Sequence, residues 1–368
     1  MNSNSKGNNK NKNKKTNNKE KRQLNNKTKR NQNNHFEDAK DIPNPKNIHF
    51  LKDLANNSYS IGTNNSFCVF NSINDILILI YSNDRLSIIS YNIFDFKLMN
   101  EIKHAHDNYI INFRHYLDKN NNRDLVLSSD SNNIKIWNLN YLECIVNIQY
   151  IYIGGIMFSS CFMYDNENIY IVSSNYKFGP IKIFDFNKQK IKEMNYSNDG
   201  IYFIDCYYDK KLAKKFIITG NDNYIKSYDY ENNNIYHIYL DDNIKENHIS
   251  FIINEKEEKV ELVDASETGN IRIWEFHSGV LLNKIKFDIK LNCICLWSDK
   301  YYFIGCRDKT IKSINLEKKV IEKNLKGHDN RVVAIKNIIN SKYGNCLISQ
   351  NLELGKIKLW IVKKNNKY

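Results

Sequence analysis

Ile134-Lys135-Ile136-Trp137, Ile271-Arg272-Ile273-Trp274 and Ile357-Lys358-Leu359-Trp360 are three copies of one phrase, in which apolar and basic residues alternate ahead of a tryptophan. Alternation of that kind makes a strand with one buried face. Weaker copies read Ile181-Lys182-Ile183-Phe184, Ile225-Lys226-Ser227-Tyr228 and Ile311-Lys312-Ser313-Ile314, and a degenerate one, Leu86-Ser87-Ile88-Ile89, precedes them all. Measured between fourth positions, the steps are 48, 47, 44, 46, 40 and 46 residues. A period of that length defines a repeat architecture, in which each unit buries its apolar faces against its neighbours.

One period holds four strands. Residues 271–274 form one run, Ser278-Gly279 turns the chain, 281–287 form a second, and 291–297 and 301–306 are two more. Residues 225–228, 235–240, 248–253 and 260–263 repeat the same grammar. No stretch reads as a long amphipathic helix, so the fold class is all-β. Strands at this spacing also suit a sandwich, but a period sustained seven times favours radial repetition. Residues 55–368 divided by seven give about 45 residues per unit, and the expectation is a seven-bladed β-propeller. Because Trp360 is followed only by Ile361, Val362 and a polar end, the last blade needs an outer strand from elsewhere to cover its edge. Residues 58–61 are expected to supply it.

The first 46 residues differ in kind. Positions 1–34 hold 13 Asn and a scatter of Lys, with Leu24 the one aliphatic residue after Met1, too little apolar surface to offset the entropy of ordering. A disordered basic segment over 1–46 and a propeller over 47–368 are therefore expected. The segment carries 13 Lys or Arg against 4 acidic residues, a net of +9 out of +13 for the whole chain. Its basic clusters suit nuclear import, nucleic acid or an anionic membrane surface, while the Asn- and Lys-rich composition throughout also suits a passive solubilising tail. The polar N-terminus has no apolar signal core, and the longest apolar run, 76–81, is strand-sized, so no membrane span is expected. Eight scattered cysteines, including the pair Cys293 and Cys295 with no second pair nearby, read as reduced thiols of an intracellular protein, cytoplasmic or nuclear, rather than as a zinc site.

These repeats resemble the WD40-repeat family, whose units run from a Gly-His pair to a Trp-Asp pair. Gly327-His328-Asp329-Asn330 stands ahead of Trp360, and Ala105-His106-Asp107-Asn108 stands ahead of Trp137. The resemblance covers residues 55–368 and implies a buried network of His, Ser or Thr, Asp and Trp. On that basis His106, Ser129 and Trp137 match in one repeat, and His328, Ser349 and Trp360 in another. Trp274 marks a third, and Asp222 and Asp308 occupy the family's turn position, where other repeats have Ser131 and Thr268. No Trp here is followed by Asp, so most networks are expected to be incomplete, with Ile, Phe and Tyr packing in their place.

No phosphate-binding glycine loop, dinucleotide fingerprint, zinc-protease helix, nucleophile elbow or kinase signature occurs. The expectation is a non-catalytic protein without cofactor or metal, acting as a monomeric ring that binds other proteins through loops held on a rigid scaffold. In the resembling family, contacts favour the rim built from the loops after each outer strand and before each Trp strand. Asn108, Tyr109, Tyr176, Phe178, Asp199, Arg307 and Arg331 map there, and Tyr and Arg are residue types that dominate interface energetics.

Overall fold

A computed structural model describes residues 45–60, 65–149, 157–165, 167–175, 180–194, 200–221, 223–241, 248–341 and 344–362. Seven four-stranded antiparallel sheets account for nearly all of them. Blades 1 to 6 are continuous in sequence, at residues 67–102, 112–149, 157–194, 203–239, 248–286 and 291–325. Each runs outward from its first strand to its fourth in chain order. Blade 7 joins residues 332–362 to the strand Ile48–Ser60. The chain is a seven-bladed β-propeller.

The repeated phrase forms the third strand in blades 2 to 7; in blade 1 that strand is Ile88–Asn92, and its irregularity at Ser90/Tyr91 puts Tyr91, not Ile89, at the aromatic position, two residues beyond the copy that the sequence offered. In blade 2, Ile134 and Ile136 are fully buried and Trp137 nearly so, while Lys135 lies between them. Beside the aromatic position, an irregularity recurs in the pairing with the fourth strand, at Ile136/Trp137, Ser227/Tyr228, Ile273/Trp274 and Ser313/Ile314. An extra residue on the outer strand raises the local twist there, in keeping with a strongly twisted outer edge. The blades pack through aliphatic and aromatic layers, such as Ile80, Ile88, Phe113 and Val126 between blades 1 and 2. Polar ties add to them around the ring: Ser159 Oγ accepts from the Ile204 amide at 3.3 Å, and Asn292 Nδ2 donates to the Val332 carbonyl at 3.1 Å.

Closure pairs the first described strand with the last. Ile48 stands opposite Val362, Phe50 opposite Trp360 and Ser58 opposite Gly355, and Ser58 Oγ donates to the Gly355 carbonyl at 3.1 Å. The strand starts at Ile48, ten residues ahead of the segment that the sequence singled out. Register shifts at 50/52, 53/55 and 55/58 explain the difference, because they break the two-residue alternation by which a strand is recognised. Ile61 and nearly all of the basic segment lie outside the described residues.

Candidate functional site: the loop face and channel mouth

Three buried networks hold the third strands, and each uses a different donor set. In blade 2, Trp137 Nε1 donates to Ser128 Oγ at 2.8 Å, Ser128 Oγ meets His106 Nε2 at 2.6 Å, and His106 Nδ1 meets Asp130 Oδ2 at 3.0 Å. A carboxylate accepts only and an indole N–H donates only, so the proton order runs from Trp through Ser and His to Asp. Burial pushes the Asp130 carboxyl up, but hydrogen bonds from His106 and the amides of Asn132 and Asn133 overcome this and bring it down to about 2.

The hydroxyl in this network belongs to Ser128, not to Ser129 as the sequence placed it. Ser129 instead accepts from Ser160 Oγ at 3.1 Å across the interface with blade 3. The reason is register: the relay residue lies opposite the Lys of the repeated phrase, as Ser128 lies opposite Lys135 and Ser349 opposite Lys358. Turns of variable length separate it from the Trp by nine residues in blade 2 and eleven in blade 7, which defeats counting at a fixed offset.

In blade 7, Trp360 Nε1 donates to Ser349 Oγ at 2.8 Å, and Ser349 Oγ meets His328 Nε2 at 2.6 Å. His328 Nδ1 is buried with no partner among the described residues. The residue two beyond Ser349, where Asp130 stands two beyond Ser128, is Asn351, and its amide donates to Asp329 Oδ1 at 2.5 Å. Burial, helped by the Lys358 charge and opposed by Asp329 and Asp53, pulls the His328 imidazole down to about 4.

Blade 5 replaces the hydroxyl with a carboxylate that the sequence reading missed. Asp264 stands opposite Arg272 in the equivalent register, accepts from Trp274 Nε1 at 2.6 Å and from Arg272 at 2.7 Å, and meets His248 Nδ1 at 3.1 Å. Asp264 and Arg272 are both buried, an arrangement that fixes geometry more than it adds stability. Asp308 belongs to no such network: its carboxylate accepts from Thr310 Oγ1 at 2.5 Å and from Lys312 Nζ at 2.8 Å within its own turn. Asp222 lies outside the described residues.

Antiparallel order sends the turns between second and third strands, and the loops between blades, to one face of the disc. Tyr109 lies there, 49% exposed, with Arg85 NH1 donating to its hydroxyl at 2.9 Å and the guanidinium 4.8 Å from its ring centre. Asn108 is half-buried beside it. Arg307 is exposed and pairs with Glu267 at 2.6 Å, bridging the equivalent turns of blades 6 and 5. Arg331 is half-buried, its amide bonded to Asn330 Oδ1 at 2.8 Å. Tyr176, Phe178 and Asp199 lie outside the described residues. The opposite face carries exposed Tyr141, Leu212 and Val280, one each in blades 2, 4 and 5. Trp297 is buried edge-on against Phe303, with ring centres 5.2 Å apart.

At the mouth of the central channel, near the start of the innermost strands, the structure joins residues that sequence reasoning did not connect. Arg114 of blade 2 and Lys336 of blade 7 both donate to Asn65 Oδ1, Lys336 at 2.9 Å. Arg114 also reaches across to blade 4, with NH2 3.4 Å from Asp205 Oδ2. Burial, reinforced by the neighbouring Arg114, draws the Lys336 ammonium down to about 8. Cys68 and Cys295 line the same region, and burial raises them to about 12 and about 11. No group of three or more His, Cys, Asp or Glu residues stands close enough to hold a metal ion among the described residues.

No family model matches the chain, and no curated protein matches it. Among solved structures it is similar to the crystal structure of BBS1N in complex with ARL6DN, with a TM-score of 0.66 at 10% identity, over 86% of this chain and 99% of that one. The likeness shows the propeller fold. No helix among the described residues is long and apolar enough to cross a membrane.

Proposed function

We propose that the chain is a non-catalytic interaction scaffold of the WD-repeat type, which assembles other proteins on the face that carries Tyr109, Arg85, Arg307 and Arg331. One observation carries this reading: a closed ring of seven sheets holds an exposed Tyr–Arg stack and an Arg–Glu pair in fixed positions on one face. Exposed aromatic and guanidinium groups on rigid supports lose little entropy when a partner covers them. The Ser–His–Trp relays of blades 2 and 7 support the WD-repeat assignment. The likeness to BBS1N, a propeller solved with the protein ARL6DN, suits a protein-binding role. We place the protein inside the cell, a setting that suits its eight free thiols.

Affinity capture of the tagged full-length chain from its source cell, beside the pairs Arg85→Ala/Tyr109→Ala and Arg307→Ala/Arg331→Ala, tests the reading. The scaffold account expects a stable partner set that at least one pair depletes while the far-UV spectrum is unchanged. Partner sets in both variants identical to that of the unsubstituted chain would move the binding surface elsewhere. A nucleic-acid role would rest on the basic segment, because Arg307, the most exposed guanidinium of the face, is already paired with Glu267.

A further inference from the structure

The mouth of the central channel sets two cations, Arg114 and Lys336, against one half-exposed carboxylate, Asp205, among the described residues. Both share one neutral acceptor, the Asn65 amide oxygen, and Arg114 NH2 also lies 3.4 Å from the Ile204 carbonyl oxygen. The Arg114 Nε is enclosed and has no acceptor among the described residues. Asp205 is the carboxylate within reach, and it is half-exposed and 3.4 Å from the guanidinium. Cys68, Cys293 and Cys295 stand near Lys336 with thiols that burial keeps protonated, so they supply no negative charge. Two partly buried cations that face one carboxylate are under-compensated, and a fork of N–H donors beside an ammonium is the arrangement that recognises tetrahedral oxyanions.

We infer that the channel mouth is a binding site for a small oxyanion of the phosphate class, held between Arg114 and Lys336. Donors attached to one oxygen atom are close enough for a single tetrahedral ion to bridge them. Arg114 and Asn65 come from adjacent blades, Lys336 from the blade that closes the ring and Asp205 from across the channel, so the site exists only in the closed ring. Solvent access remains, because the Arg114 side chain is 18% exposed and Asp205 lines the opening.

The test is calorimetric titration of the full chain with inorganic phosphate in a low-salt, phosphate-free buffer, repeated with Arg114→Gln, Lys336→Gln and Asp205→Asn. Saturable binding is expected, displaced by sulfate, weakened roughly tenfold or more by either cation change and tightened by Asp205→Asn. Thermal melts without phosphate separate binding from folding: removal of an uncompensated cation leaves the melting temperature unchanged or higher in Lys336→Gln. Absence of saturable phosphate binding, affinity unchanged from the unsubstituted chain in either cation variant, or a marked fall in melting temperature in Lys336→Gln would each overturn the site. Tighter binding of a phosphoserine peptide than of phosphate itself would overturn the assignment to a free ion and give the site to a phosphate group borne by a partner.

Discussion

Acidification should unlock blade 7 before it reaches blade 2, and His328 is the group responsible. Its imidazole titrates at about 4 in the folded protein, against an ordinary value of 6.5. Below pH 6.5 the unfolded chain therefore takes up a proton that the folded chain refuses, and stability falls with pH. The contribution is complete above pH 6.5, declines between about 6.5 and about 4, and is constant below. That gap corresponds to about 3 kcal/mol, a large share of the typical net stability of a folded domain. Burial of the His115 imidazole also draws it downward, despite Asp124, so total pH dependence alone does not isolate His328. The comparison is with His328→Asn, which removes the titrating ring. Urea unfolding followed by circular dichroism from pH 7.5 to pH 4 should show a variant less stable at pH 7.5, because Ser349 and Trp360 lose their relay, with a deficit that shrinks by about 3 kcal/mol as pH falls. A deficit that stays constant across this window would refute the assignment of the buried His328 imidazole as the cause.

Ser128→Ala strands both Trp137 Nε1 and His106 Nε2 and should cost about 2–4 kcal/mol, well above the cost of Ser129→Ala; equal chemical-denaturation midpoints for the two would contradict the relay described. Gly305→Ala would place a Cβ 2.5 Å from Cys293 Sγ and 3.0 Å from the Val332 carbonyl oxygen at the junction of blades 6 and 7, so a loss of about 1–3 kcal/mol in calorimetric stability is expected from overpacking. Removal of residues 1–46 should leave the melting temperature nearly unchanged, whereas removal of 1–62 takes away the strand paired to Glu353–Val362 and should lower it sharply; equal melting temperatures would refute the closure.

The period of the Ile-Lys-Ile phrase made blade number and strand order legible, because burial against a neighbouring blade imposes the same alternation on every third strand. The closing strand was only half legible, since its bulges erase alternation between Phe50 and Ser58. Relay residues were legible in blades 2 and 7, yet Ser129 was taken in place of its neighbour Ser128, because only the pairing opposite Lys135 tells which of the two serines faces the Trp. The His248–Asp264–Arg272 network was hidden by a change of chemistry, a carboxylate and guanidinium standing where other blades have a hydroxyl and Lys. The channel cluster was hidden by distance in sequence: Arg114 and Lys336 meet at Asn65 from positions 49 and 271 residues away. Contacts made only by ring closure leave no local pattern.

If one face of the propeller carries the partners, lysine cross-linking of the captured complex with peptide mapping will locate it. Lys103, Lys290 and Lys326 are exposed on the face of Tyr109, and Lys210, Lys300 and Lys319 on the opposite one. Cross-links to partner chains concentrated on the first three are the expected result. Cross-links confined to the second three, or to the lysines of the basic segment alone, would place the binding surface elsewhere.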